Sequence, residues 1–156
     1  MNQAYWLDPI RSGELLSAVL RKFAGAGNVA VEGEAQALEA LGLLSFPSSR
    51  SGPTPPFERQ YKADSAVVII PLENEQRAVA LSGVLAPRSE VSPAIEAIQI
   101  ESQGSIEFLA ADGFHRECVS VGPAVPKSFL RELTRRGVIR GFYTPSEARE
   151  HFGLKQ

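Results

Sequence analysis

The chain has one cysteine and two histidines among its 156 residues, so few side chains are available for nucleophilic or metal chemistry. A single cysteine cannot form a disulfide within the chain, which is typical of proteins from a reducing compartment. No run of 18 apolar residues occurs, and the first residues lack the basic start and apolar stretch of a secretory signal. We therefore expect a cytoplasmic protein that does not contact a membrane.

The standard cofactor and nucleophile motifs are also missing. There is no glycine-rich phosphate loop of the Walker or dinucleotide-binding type, and there is no G-x-S-x-G elbow. The glycines of AGAGN, at residues 24–28, follow a predicted helix instead of a strand, which is the wrong context for a nucleotide. The sequence therefore predicts no cofactor and favours a protein without catalytic residues.

A strong charge of either sign is lacking as well, since the net charge is −2. Residues 127–156 are nevertheless basic, with seven basic and three acidic residues. Lys127, Arg131 and Arg135 recur at every fourth position of a predicted helix and form one basic stripe. Such a stripe can bind phosphates, but the acidity of the remaining chain and the lack of a nucleic-acid motif favour a solvated helix face. We expect no nucleic-acid partner.

The patterns that are present predict one α+β domain over residues 1–156. Apolar residues at helical or alternating spacing, separated by Gly and Pro, indicate short helices and strands. Two short turns connect three of the strands, which indicates an antiparallel meander. We predict a mainly antiparallel sheet of about five or six strands with helices on one face or at its ends. The predicted helices lie at 9–23, 34–42, 73–81, 126–136 and 145–152, and the predicted strands lie at 29–33, 65–70, 95–101, 106–111, 114–121 and 138–143.

Several local signals refine this prediction. Asp8 is placed to cap the first helix, with Pro9 at the first helical position. The apolar run SAVVII, at residues 65–70, is typical of a strand that is buried on both faces. The sequence TPSE, at residues 144–147, is a capping box. Residues 45–60 contain four prolines and four serines, and we predict that they form a loop.

The segment DGFHRECVSV, residues 112–121, holds the cysteine and one of the histidines. Its first two residues are predicted to form a two-residue hairpin turn, and the rest is predicted to be a strand. Alternate residues of a strand share a face, so Cys118 is expected to face the core. His115 and Glu117 are expected to lie on the outer face with Val119. A catalytic dyad of His115 and Cys118 is therefore not expected.

From these observations we predict a non-enzymatic protein-binding module, of the immunity or adaptor type, that occludes another protein. Its contact residues are expected to be His115, Glu117 and Val119, as an exposed row on a rigid strand. The alternative is a small hydrolase or ligand-binding enzyme that uses His115 with Glu117 or His151. A zinc site from these residues needs a fold that brings both histidines together, and we expect no metal site.

Overall fold

The computed structural model describes residues 3–47, 65–88 and 90–153. This part of the chain forms seven strands: β1 (Tyr5–Pro9), β2 (Gly27–Glu34), β3 (Ser65–Leu72), β4 (Ile95–Ser102), β5 (Ser105–Ala110), β6 (Val119–Val121) and β7 (Ile139–Tyr143). It also forms five α-helices: α1 (Ser12–Lys22), α2 (Ala35–Ala40), α3 (Glu75–Leu85), α4 (Lys127–Arg135) and α5 (Pro145–His151). Most of the predicted loop at 45–60 lies outside the described residues.

All of these strands belong to one antiparallel sheet with the order β3-β2-β4-β5-β6-β1-β7. The predicted α+β class is confirmed, and β4, β5 and β6 form the predicted meander. The additional strand is β1, which pairs with β6 and β7 at the point where the sequence suggested a helix cap. The prediction that Asp8 caps the first helix is therefore wrong, and α1 begins only at Ser12. Strand partners satisfy the backbone of β1, and Leu7 is fully buried.

One face of the sheet carries the hydrophobic core. Val29 lies between Ile70 and Ile100, and Phe108 lies between Ile100 and Val121, so apolar side chains cross the sheet in register. Apolar side chains of α1, α2, α3 and α4 pack onto this row and form a single buried cluster with it. The removal of this apolar surface from water is the main favourable contribution to folding.

The opposite face of the sheet is more polar and carries α5, which packs against β1 and β7. Register places Ala30, Gln99, Leu109, Ser120 and Trp6 in one row across this face. The side chain of Gln99 is almost completely buried, and neither of its amide atoms has a hydrogen-bond partner among the described residues. The faces therefore differ in chemistry as well as in what covers them.

Strand β3 has a different environment from the one predicted. Its apolar run suggested burial on both faces, but β3 is the terminal strand of the sheet and β2 is its only partner among the described strands. Val67 and Ile69 are only half-buried, whereas Val68 and Ile70 face the core. The strand also continues through Pro71. An edge strand tolerates proline because no second neighbouring strand requires the N–H that proline lacks.

Side-chain caps define the starts of two helices. Asn74 accepts a hydrogen bond from the backbone N–H of Arg77 at 2.8 Å, so α3 begins two residues later than predicted. The predicted capping box at α5 is confirmed. Thr144 accepts from the Glu147 N–H, and the Glu147 carboxylate accepts from the Thr144 N–H at 3.0 Å. This box fixes the entry into a helix of only seven residues.

The connection between β5 and β6 is longer than the predicted two-residue turn. Three consecutive residues have positive φ, namely Asp112 at 48°, Gly113 at 64° and Phe114 at 66°. The reason is the burial of the Phe114 ring, whose centroid lies 6.1 Å from that of Phe108 in the core. A further turn follows, and β6 begins only at Val119. The prediction of a two-residue hairpin is therefore wrong, and the strand predicted over 114–121 forms only over 119–121.

Candidate functional site

The expected row of contact residues is only partly exposed. His115 is exposed and Glu117 is half-buried, and both lie in the β5–β6 connection instead of on a strand. Val119 is fully buried in the core cluster. Including Val119 in an exposed row is therefore an error: Val119 is the first residue of β6, and alternation counted from His115 and Glu117 does not extend to it because those residues lie in the loop.

The two histidines do not form the contacts that the enzyme alternative requires, which are those of His115 with the Glu117 carboxylate or with His151. His115 Nδ1 accepts a hydrogen bond from the backbone N–H of Glu117 at 3.4 Å, so this contact does not involve the Glu117 carboxylate. The partner of His151 is instead Asp8. Among residues 3–47, 65–88 and 90–153, no three His, Cys, Asp or Glu side chains are grouped so as to hold a metal ion.

Cys118 is half-buried in the loop, whereas the sequence pattern predicts a buried position on the core face of a strand. Its Sγ lies 3.5 Å from Oδ2 of Asp112. Burial raises the pKa of the Cys118 thiol, and the hydrogen bond to Asp112 and the negative charges of Asp112 and Glu117 raise this pKa further. Since the thiolate is the nucleophilic form, a raised pKa makes this cysteine a weak nucleophile at neutral pH.

We predict that Cys118 reacts with a neutral thiol reagent more slowly than free cysteine at pH 7.5, and that its rate increases steeply at higher pH. Asp112→Asn should accelerate labelling, because it removes the negative charge of Asp112, which is one of the causes that raise the thiol pKa. Glu132→Gln, which changes a carboxylate on α4 that is not among these causes, is the matched control. Labelling of the parent at the rate of free cysteine, measured by mass spectrometry, would contradict this account.

A buried carboxylate is the centre of the most concentrated polar cluster near this loop. Asp8 is 4% exposed, and its Oδ2 lies 3.0 Å from Nε2 of His151. The same oxygen lies 3.6 Å from Nε of Arg140 and 3.7 Å from Nη2 of Arg116. Because a carboxylate can only accept, the imidazole nitrogen donates this hydrogen bond. We call Asp8, Arg116, Arg140 and His151 the Asp8 cluster.

Aromatic side chains support this cluster from one side. The His151 ring stacks on Tyr143 with centroids 4.0 Å apart and an interplanar angle of 17°. The Phe152 ring meets His151 edge-on at 4.8 Å. The guanidinium carbon of Arg116 lies 5.0 Å from the centroid of the Phe152 ring, within cation–π range. Four separate elements, β1, the β5–β6 loop, β7 and the end of α5, are thus held together here.

An apolar groove adjoins the Asp8 cluster, and Phe152 contacts both. The groove has a volume of about 200 Å³ and is lined by Trp6, Glu117, Pro145, Ala148, Arg149 and Phe152. Trp6 and Phe152 are half-buried, so each presents part of its ring to the groove. We call this feature the α5 groove. It combines an apolar floor with one acidic and one basic side chain at its rim.

The basic stripe lies elsewhere, on the exposed side of α4. The ammonium group of Lys127 lies 5.7 Å from the centroid of the Tyr5 ring, and Nε of Arg135 donates to Glu132 at 3.0 Å. Two of the three charges therefore have local partners, and Arg131 is exposed. These contacts suffice to explain the stripe as a solvated helix face, and the absence of nucleic-acid binding stays a prediction.

No protein-family model matches the chain, and neither a curated protein nor a solved structure matches it. No helix in the described ranges is both long and apolar enough to cross a bilayer. The chemistry of the Asp8 cluster and the α5 groove is therefore the basis for assigning a function.

Proposed function

We propose that the protein is a non-enzymatic protein-binding module of the immunity or adaptor type, which acts by occluding its partner. Its contact surface consists of the α5 groove together with the neighbouring loop residues His115 and Glu117. The observation that carries this proposal is the groove itself, where two partly exposed aromatic side chains surround an apolar depression with charges at its rim. Aromatic residues with a polar rim are characteristic of the energetically dominant part of protein interfaces.

The size of the α5 groove favours a protein partner over a small-molecule ligand. Sites for drug-sized ligands usually have volumes of about 300–1,000 Å³, whereas this groove holds about 200 Å³. That volume suits one large apolar side chain presented by another protein. The sequence also lacks the phosphate-loop and dinucleotide-binding motifs that commonly accompany a larger cofactor site.

The elements that form the groove are held in place before any partner binds. A capping box fixes the start of α5, and His151 anchors its end to Asp8. The Phe114 ring anchors the loop that carries Glu117 to the core. A surface that is already ordered loses less conformational entropy on association, so more of its contact energy appears as affinity.

The alternative is a small hydrolase that uses a histidine, and the Asp8–His151 contact of 3.0 Å is the observation that favours it. A carboxylate that orients an imidazole is part of many hydrolytic sites. Two candidate nucleophiles of the neighbouring loop and of β6 are unfavourable. The pKa of the Cys118 thiol is raised, and Ser120 is fully buried. We therefore rank the binding function first.

The experiment that tests the proposal compares affinity capture from native cell extract by the parent and by variants of the groove. Arg149→Glu and Phe152→Ala should lose a stoichiometric protein partner that the parent retains. Arg131→Glu is the matched control, since it makes the same change at an exposed arginine of α4, away from the groove. His115→Ala should weaken binding of the captured protein by about 1 kcal/mol.

Two results would contradict the proposal. One is capture that the groove variants leave unchanged while circular dichroism shows that all variants are folded. The other is hydrolase turnover by the parent that His115→Ala or His151→Ala lowers by about a hundredfold or more, which would establish the enzyme alternative.

A further inference from the structure

The Asp8 cluster carries more positive charge than its own carboxylate requires. Arg116 and Arg140 are both directed at Asp8, so two guanidinium groups face one carboxylate. Their atoms lie 3.7 and 3.6 Å from Oδ2 of Asp8, beyond hydrogen-bond distance. Neither guanidinium donates a hydrogen bond to any residue in the described part of the chain. Within the described ranges, the N–H donors of both guanidinium groups therefore lie near Asp8 without a hydrogen-bond acceptor.

Structural stabilisation alone accounts poorly for this arrangement. The side chains of Arg116 and Arg140 are 51% and 68% exposed. Ion pairs between such exposed groups contribute little, about 0–1 kcal/mol. By contrast, guanidinium groups are well suited to recognise carboxylates, because their planar N–H donors can form two parallel charge-assisted hydrogen bonds.

The position of Arg116 brings its guanidinium N–H donors next to the α5 groove. Its guanidinium lies over the ring of Phe152, and that ring lines the groove. An anionic group held by Arg116 and Arg140 would therefore lie next to an apolar side chain seated in the groove. Other charged groups at this surface include Glu117 and Arg149, which line the groove, and Asp8, which both arginines approach.

We propose that Arg116 and Arg140 bind a carboxylate of the protein partner, from an Asp or Glu close in sequence to a large apolar residue that fills the α5 groove. This inference rests on the proposed function and specifies the partner. The segment of the partner that binds here combines one apolar side chain, which fills the α5 groove, and one acidic side chain. The acidic side chain is favoured because its charge is complementary to the two guanidinium groups. Asp8 acts as a positioning residue that keeps both arginines at the site.

A peptide selection tests this proposal before the partner itself is identified. Random 12-residue peptides displayed on phage are selected on the parent, on Arg116→Gln/Arg140→Gln and on the control Arg131→Gln/Arg136→Gln. The control removes two exposed arginines from the α4 region. The parent and the control should enrich peptides with a large apolar residue and an Asp or Glu at a fixed spacing. The Arg116→Gln/Arg140→Gln variant should keep the apolar preference and lose the acidic one.

Affinity measurements on an enriched peptide then quantify the contact. Replacing its acidic residue by the corresponding amide should weaken binding to the parent about tenfold or more and leave binding to Arg116→Gln/Arg140→Gln unchanged. Equal effects on both proteins would overturn the proposal. Apolar peptides without an acidic preference would overturn it too, while leaving the proposed function standing. No enrichment on the parent would count against both.

Inorganic phosphate tests whether Arg116 and Arg140 bind a free anion. Millimolar phosphate should leave the NMR signals of the Arg116 and Arg140 side chains close to their positions without it, whereas an enriched acidic peptide should shift both. Two results together would overturn the proposal: saturable shifts with phosphate, and enriched peptides that lack an acidic preference. They would indicate that the arginines bind a small anion and not a carboxylate of a protein partner.

Discussion

Phe108→Ala should lower the free energy of unfolding by about 4 kcal/mol, the largest effect that we expect from any single truncation. Phe108 is the largest fully buried side chain in the part of the chain that the structure describes, and it lies in β5, near the middle of the sheet. Its neighbours in register are Ile100 and Val121, which are themselves fully buried. The surrounding strands are fixed by their ladders, so the cavity left by the ring can close only in part.

The same substitution should also loosen the loop that carries His115 and Glu117. The Phe114 ring anchors this loop and packs against Phe108 with centroids 6.1 Å apart. Without Phe108, the positive φ of Phe114 is no longer offset by good packing of its ring. Hydrogen exchange of the amides at residues 112–118 should become faster in the variant, under conditions where the protein as a whole stays folded.

Leu109→Ala is the matched control for Phe108→Ala. Leu109 is the next residue of β5, but it points to the opposite face and is only half-buried. We expect a loss of below about 1.5 kcal/mol for this change. Chemical denaturation of both variants provides the comparison. Equal losses would mean that the core is not centred on Phe108.

Patterns within one element were sufficient to predict much of this fold. The leucines of α1 recur at helical spacing and all face the core, and the residues of β4 and β5 flank a short turn. The capping box of α5 depends only on Thr144 and Glu147, which are three residues apart. Each of these signals arises from groups close together in the chain, so the sequence displays it directly.

The errors share a different physical origin, since each depends on a partner distant in sequence or on the burial of a side chain. Asp8 followed by Pro9 has the local chemistry of a helix start, and only pairing with β6 and β7 makes this segment a strand. The apolar run of β3 does not reveal that the strand lies at an edge. The Asp112–Gly113 pair favours a two-residue turn, but burial of Phe114 against Phe108 overrides that preference.

The candidate site was the least predictable part for the same reason. Asp8 and His151 are separated by 143 positions, and no spacing rule connects them. Arg116 lies between His115 and Glu117 in the sequence, yet its role depends on contacts to Asp8 and to Phe152, at the end of α5. The one available signal was the concentration of a histidine, a tyrosine and two arginines after residue 139, on two elements next to one another.

Asp8→Ala should release α5 from the sheet and disable the α5 groove. The substitution removes the only acceptor that His151 contacts among the described residues, and it leaves Arg116 and Arg140 facing each other without a counter-charge. Loss of a buried carboxylate from such a set costs about 3–5 kcal/mol when all partners are buried. Since both arginines are largely exposed, we expect a loss of about 2 kcal/mol here.

Because α5 has only seven residues, it cannot remain helical without its contacts to the sheet. Hydrogen exchange at residues 145–151 should therefore lose protection in Asp8→Ala, while the strands of the core remain protected. Asp8→Asn should have an intermediate effect, since its amide oxygen can still accept from His151 but cannot neutralise the arginines. The matched control is Glu39→Ala, which removes an exposed carboxylate from α2 and should change stability by about 0.5 kcal/mol or less. Full protection of α5 in Asp8→Ala would show that the Asp8 cluster does not hold the groove together, and that the packing of Ala148 and Phe152 is enough.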